Sequence, residues 1–322
     1  MQRDELRDKF VGCVVGAAIG DALGMPNEDV PARKAQTYYA GPIRDFLSPH
    51  QETPCRNLRE AQYTDDTQLM LALAQALVEG EGFEPPRFVD KLIAWYKIES
   101  HEKRYRGKTT IAAVEKLMKG AKWEQSGIDH AGCGGATRAV PVGLFFAHDL
   151  HRACECAALQ CQVTHNNAIA IDGARCVAAT VARLVNGQII SINELRELVG
   201  TSQFRDKLTD IERALHKQLD LSAAIETLGN SSLATDVVGM ALFVVLSAPT
   251  DFEKAALLAA NATGEGGGDT DSIAFLVGAF AGAYGGLRAI KHGWVERVES
   301  TQVLQDMGER IYVAACRAAG RA

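Results

Sequence analysis

The sequence predicts an all-α fold carried by one domain over residues 1–322. Three observations predict it. Apolar residues recur with the 3.6-residue period of a helix along most of the chain, and few stretches alternate as a half-buried strand does. Hydrophobic residues make up 47%, enough for a large core, while aromatics are only 7% against 30 glycines, a balance that favours closely packed helices over a β-sandwich. No Ser/Pro-rich linker or break in composition divides the chain.

The first helix is expected at 6–24, where Gly12, Gly16, Gly20 and Gly24 recur every four residues on one face. Residues 25–63 hold five of the nine prolines and read as a long irregular stretch, of the kind that is functional or mobile. Helices follow at 68–79, 87–99, 109–119, 138–147, 151–162, 167–186, 192–199 and 204–218. The longest apolar run, Val237 to Ala248, sits in a helix at 235–247 that Pro249 closes. Helices at 251–260, 272–290 and 301–318 complete the chain. The one at 272–290 carries a second glycine stripe, Gly278, Gly282 and Gly286. A glycine inside a helix costs about 1 kcal/mol relative to alanine, so the stripes imply close backbone approach between central helices.

Charge and cysteine usage exclude several classes. Lys+Arg is 34 against Asp+Glu 40, a net charge of -6, which argues against a nucleic-acid groove. The 12-residue apolar run is too short to cross a bilayer, and the N-terminus has no signal-peptide layout. Eight scattered cysteines read as reduced, buried thiols, which points to a cytoplasmic protein, expected as a monomer.

Three acidic motifs carry the chemistry. Thr64-Asp65-Asp66-Thr67 precedes the helix at 68–79, Gly266-Gly267-Gly268-Asp269-Thr270-Asp271-Ser272 precedes the one at 272–290, and Gly20-Asp21 with Glu28 ends the first helix. Helix capping explains one acid at each start, and Asp65 with Gln68 has the spacing of a capping box. A second adjacent acid repels the first. Divalent cations relieve that repulsion, and carboxylates with hydroxyls are their hard oxygen ligands. Glu28, Asp65, Asp66, Asp269 and Asp271 sum to five negative charges, against four positive on two divalent ions. Paired caps and a binuclear metal site both remain open on this reading.

These segments resemble the ADP-ribosylglycohydrolase family, the group that includes the dinitrogenase reductase-activating glycohydrolase. The matching stretches are Gly20-Asp21-Ala22-Leu23-Gly24 with Glu28, Tyr63-Thr64-Asp65-Asp66-Thr67, and Gly267-Gly268-Asp269-Thr270-Asp271-Ser272. Gly132-Cys133-Gly134-Gly135-Ala136-Thr137-Arg138-Ala139-Val140-Pro141 and Thr164-His165 with Ile171 and Ala174 also agree, and all five occur in the family's order. The resemblance implies a hydrolase that cleaves the bond between ADP-ribose and an acceptor, either a protein side chain or a small-molecule conjugate. It implies two Mg2+ or Mn2+ ions, held by Thr64, Asp65 and Asp66 from one side and by Asp269, Asp271 and Ser272 from the other. Glu28 matches the family's mobile acid, and Glu28, Asp65 and Asp66 are the candidate proton acceptors. Gly132, Cys133, Gly134, His165 and the run Gly266, Gly267, Gly268 are the candidate substrate contacts, the glycines offering backbone N–H groups to a diphosphate. Three positions depart from the family pattern: Ser272 replaces Thr, Thr137 replaces Met, and Cys133 replaces an Asn that contacts ADP-ribose.

Arg138 is expected to be structural, and Asp172 to hold another loop. Cys154, Cys156 and Cys161 do not have the paired spacing of a zinc site. His148-Asp149 resembles the doublet of all-α His-Asp phosphohydrolases, with His101 as a further candidate ligand. A catalytically silent relative is the other alternative, and the intact acids at every matched metal position argue against it.

Overall fold

The computed structural model describes residues 3–102 and 104–320. Among them there is helix but no strand, only isolated bridges. The helix α1 spans Arg3–Gly24 and α2 Ala32–Tyr39. Next come α3 (Asp65–Glu79), α4 (Pro85–Glu102), α5 (Lys108–Met118), α6 (Trp123–Ser126), α7 (Gly134–Thr137) and α8 (Val140–Phe145). The middle of the chain forms α9 (Leu150–Gln162), α10 (Ala168–Val185), α11 (Ile192–Leu198), α12 (Ser202–His216) and α13 (Leu221–Leu228). The last five are α14 (Ala234–Ser247), α15 (Phe252–Ala260), α16 (Thr270–Gly285), α17 (His292–Arg297) and α18 (Thr301–Ala318).

The glycine stripes meet each other. A Cβ on Gly12 would stand 2.4 Å from the backbone of Gly286, on Gly16 2.4 Å from the Gly278 oxygen, on Gly20 1.9 Å from the Ala274 oxygen, and on Gly24 2.2 Å from the Thr270 oxygen. Residue number rises along α1 as it falls along α16, so the two helices run antiparallel with backbones in contact. No side chain fits between them, and this accounts for the glycines. Around this pair most buried apolar residues form one core, from Phe10 to Ala315, and Met25, Cys55 and Leu58 form a small separate cluster.

Several expectations change. By length and mean hydropathy (1.3) the stretch Arg3–Asn27 could cross a bilayer, which counting uninterrupted apolar residues overlooked; its apolar window is 100% buried inside the fold. Residues 25–63 are not irregular throughout, since they contain a 3-10 turn at Met25–Asn27 and α2. The expected helix at 138–147 is the shorter α8 (Val140–Phe145), which Pro141 opens in its first turn, with the single turn of α7 (Gly134–Thr137) ahead of it. The helix starting at 272–290 ends at Gly285, where Gly286 takes φ +77, so the last glycine of that stripe is a terminator. The helix α13, bracketed by the cap Asp220 and by Gly229 at φ +72, was missed although both signals stand in the sequence.

Candidate active site

The end of α1 organises the site. Buried Asp21 lies one turn before that end. Its carboxylate accepts the N–H of Thr64 (2.9 Å), the N–H of Thr67 (3.2 Å) and the hydroxyl of Thr67 (2.6 Å), which pins the start of α3. On the other side, Thr270 donates its hydroxyl to the Gly24 carbonyl at 2.9 Å, which pins the start of α16. Two helix N-termini, each carrying acid in its first turn, are thereby held against one helix C-terminus.

Capping accounts for only part of the acid. Thr64, not Asp65, caps α3 by accepting the Asp66 N–H at 3.4 Å, because the helix begins one residue earlier than the capping-box spacing implied. Asp269 caps α16. The remaining acids gather around a cavity of about 340 Å³. Carboxylate oxygens of Glu28, Asp269 and Asp271 lie within 4.8 Å of one another, and all three residues are buried. Asp66 accepts hydroxyls from Ser272 at 2.7 Å and Thr137 at 2.8 Å, and Asp65 accepts the Gly107 N–H at 3.1 Å. Glu28 accepts the Thr270 N–H at 2.9 Å, at the positive end of α16.

The electrostatics fit a site that could take a cation. Burial first, then Asp269, raises the pKa of Glu28 well above the usual carboxylate range. Burial, with Glu28 and Asp269 beside it, does the same to Asp271. Asp66 is pushed up to about 6 and Asp21 to about 7, by burial and then by a neighbouring acid. A buried, crowded cluster of hard oxygen donors could hold a divalent metal ion.

Asp65, Asp66, Glu28, Asp269, Asp271 and Ser272 all line the cavity, as do Gly132, Cys133, Gly134 and His165. Thr64, expected as a metal ligand, is fully buried and outside the lining, its hydroxyl taken up by the Asp66 N–H. Gly266, Gly267 and Gly268 stay outside its lining: Gly267 bridges to Gly264 and packs against Asp29, and Gly268 packs against Asn230. Two backbone hydrogen bonds join the 132–134 turn to the segment before α14, Cys133 N–H to Ser232 (2.9 Å) and Ala234 N–H to Ala131 (2.8 Å). A Cβ on Gly134 would stand 3.2 Å from the ring of His165, so glycine there lets the imidazole lie against the turn. His165 pairs Nδ1 with the Thr164 hydroxyl at 2.8 Å, and burial lowers its pKa well below the usual value, which keeps the ring neutral. The Cys133 thiol faces the acids: Sγ donates to Asp269 at 3.3 Å and lies 3.6 Å from the Ser272 hydroxyl.

Arg138 is wholly buried and bonds Gln160, Thr164 and the Gly134 carbonyl, so it braces the turn. Asp172 accepts the N–H groups of Gly200 and Thr201 and holds that loop. His148 and Asp149 are exposed, Asp149 caps α9, and the side chain of His101 lies outside the described residues. The cavity also takes in Asp29, Tyr105, Arg106, Lys108, His130 and Ser232, none of which the sequence reading singled out. Arg106 and Lys108 flank Gly107 in a short stretch without apolar periodicity, and nothing in their spacing marks them.

Comparison with known proteins agrees with this architecture. An uncharacterized protein of Archaeoglobus fulgidus is 34% identical over 95% of this chain and 97% of its own length. The ADP-ribosylarginine hydrolase Tri1 of Pseudomonas putida is 28% identical over 96% of this chain and 79% of its own. A solved ADP-ribosylglycohydrolase-related protein complex shares the fold, with a TM-score of 0.78 at 23% identity, over 97% of this chain and 99% of that one. The family model for ADP-ribosylglycohydrolase matches residues 2–320. With that match running the length of an all-helical chain, and with buried acids converging where α1, α3 and α16 meet, the chain belongs to the ADP-ribosylglycohydrolase family.

Proposed function

We propose that this chain is a divalent-metal-dependent hydrolase that cleaves the glycosidic bond between ADP-ribose and an acceptor on a protein or small molecule, working as a cytoplasmic monomer of one domain. The observation that carries the reading is the convergence of Glu28, Asp269 and Asp271 within 4.8 Å, in a cavity shared with Asp65 and Asp66. These acids, with Ser272, are the residues that would hold two Mg2+ or Mn2+ ions. Bound there, the metal supplies positive charge for ribose hydroxyls and a more acidic water.

The chain's own groups supply the rest. Cleavage at C1 of the ribose passes through an oxocarbenium-like state, which nearby carboxylates stabilise. Glu28 is the candidate proton acceptor for the attacking water, since it lines the cavity and lies beside Asp269 and Asp271. Asp66 is fixed by two hydroxyl donors and suits a positioning and ligand role. Neutral His165, held by Thr164, offers Nε2 to the substrate. The 132–134 turn presents backbone beside it.

Incubation with ADP-ribosyl-arginine, ADP-ribosyl-serine and ADP-ribosylated nucleic acid tests the reading. Each is run with Mg2+ or Mn2+ and again with EDTA after metal stripping. The expected result is metal-dependent release of ADP-ribose from at least one substrate. Release from none, or full release in EDTA, overturns it.

A further inference from the structure

Three consecutive glycines, Gly266 to Gly268, lead into Asp269. Such a run has no side chain to pack and a wide choice of backbone conformation, so contacts from outside must fix its shape. Within the turn, Gly264 N–H reaches the Gly267 carbonyl at 3.0 Å and Gly267 N–H reaches that of Gly264 at 3.2 Å. From outside, Asn230 grips it. The side-chain nitrogen of Asn230 donates to the Ala262 carbonyl, before the turn, and to the Gly267 carbonyl, at its end, both at 2.8 Å. Two carbonyl acceptors use both hydrogens of an amide and fix which end of the side chain points there. Glycine at 268 makes room for the grip, because a Cβ there would stand 2.1 Å from the same nitrogen. The main chain of Asn230 adds a third bond, its carbonyl accepting the Asp269 N–H at 2.9 Å.

The load on this turn gives the grip a function. The turn runs directly into Asp269, whose carboxylate belongs to the cluster with Glu28 and Asp271. It also carries the segment that follows Glu28: the Gly268 carbonyl accepts the Asp29 N–H and the Gly264 carbonyl accepts the Ala32 N–H, both at 2.9 Å. Asn230 itself stands outside the cavity lining. Groups of this kind, which hold a metal's ligands without touching the metal, set ligand geometry and through it affinity. We propose that Asn230 is a positioning residue: by gripping the glycine turn it sets Glu28 and Asp269 relative to each other, and so sets the affinity of the cluster for a divalent cation. The proposal rests on the metal-dependent hydrolase reading. The glycine run then serves as the seat of an asparagine side chain.

Mn2+ titration of the full chain, read by electron paramagnetic resonance, tests this. In Asn230→Ala, which removes both donors and adds no charge, Mn2+ affinity is expected to fall about tenfold or more. Amide hydrogens of residues 264–269 should exchange faster in the metal-free variant than in the metal-free parent. Hydrolysis lost at low Mn2+ should return at saturating Mn2+, since every ligand is still present. The matched control is Asn186→Ala, which removes another side chain that grips two carbonyls, those of Ala147 and Ala182, both at 2.8 Å. It should lower Tm and leave Mn2+ affinity as it was. If Asn230→Ala does not fold, Gly268→Ala, which pushes a Cβ against the same amide, is judged on the same criteria. If the parent binds Mn2+ and the deciding variant binds it within about twofold, the proposal falls and the hydrolase reading stands. Equal losses of Mn2+ affinity in the deciding variant and in Asn186→Ala also overturn it, because the effect would then be one of general stability. A parent that binds no Mn2+ overturns the metal-dependent reading itself, and the proposal with it.

Discussion

Along the seam between α1 and α16, backbone lies on backbone, with no charge and no room for a methyl group. At the end of the same two helices, Asp21, Glu28, Asp269 and Asp271 are buried together, and each has a raised pKa. One region is close-packed and satisfied without a ligand. The other crowds buried carboxylates together, a cluster that a divalent cation could relieve. A tightly determined seam is what allows an unfavourable cluster to persist beside it, since strain at a site survives only where the surroundings over-determine it. The contrast predicts that substitutions in the two regions separate stability from activity.

The largest effect is expected at the acids. Asp271→Ala, or Asp66→Ala, should lower hydrolysis by about a thousandfold or more, the loss of several kcal/mol of charge stabilisation. The metal-free protein should melt no earlier than the parent, because a repelling buried charge is gone. Parallel calorimetry and rate measurement check this. A metal-free variant that melts well below the parent would mean the acids stabilise the fold.

Next comes pH. Asp66 rises from 3.8 to about 6 on folding, roughly 3 kcal/mol of differential interaction. A folded pKa above the unfolded one contributes stability that is present at low pH and is lost as pH rises through the folded value. Asp66 and Asp21 should therefore weaken the metal-free protein between about pH 4 and 7. Mg2+ should restore it, so the difference in Tm between Mg2+ and EDTA should grow from pH 5 to pH 8. A difference that is flat with pH would remove the electrostatic account of the cluster.

At the seam, Gly282→Ala would place a Cβ 2.1 Å from the Gly12 oxygen, far from the acids. Overpacking of this kind costs about 1–3 kcal/mol, only partly offset by the better helix propensity of alanine. Tm should fall by several degrees with Mn2+ affinity unchanged. Equal stability would show that the seam can part without cost.

The smallest effect belongs to Cys133, which faces Asp269 and Ser272. A thiol is a weak hydrogen-bond partner. Cys133→Asn should keep metal binding and change relative rates on two substrate linkages by up to about tenfold, or about 1.4 kcal/mol. If both rates fall equally and the protein melts earlier, the side chain acts through packing instead.

Local signals made the fold legible in the sequence. Periodicity located most of the long helices, and the glycine stripes announced a close contact, though not that each stripe is the other's partner. Adjacent acids at two helix starts announced the cluster. What stayed hidden depends on tertiary position. Asp21 reads as part of a motif, yet its work is to hold the start of α3, across 43 residues. Gly266–Gly268 reads as a phosphate cradle, but the run lies outside the cavity lining, with Gly267 against Asp29 and Gly268 against Asn230. Arg106 lines the cavity with one nitrogen buried and without a partner, and no sequence pattern encodes that.

The antiparallel pairing of α1 with α16 also sets a timetable for synthesis. The Thr270 to Gly24 bond closes over 246 residues. At about 5–20 residues per second, the first helix waits roughly 12–50 seconds on the ribosome before its partner exists. During that interval an apolar helix, long enough to be mistaken for a membrane anchor, has no mate. Nascent chains halted before residue 270 should therefore engage chaperones through residues 3–24, and release them once α16 has emerged.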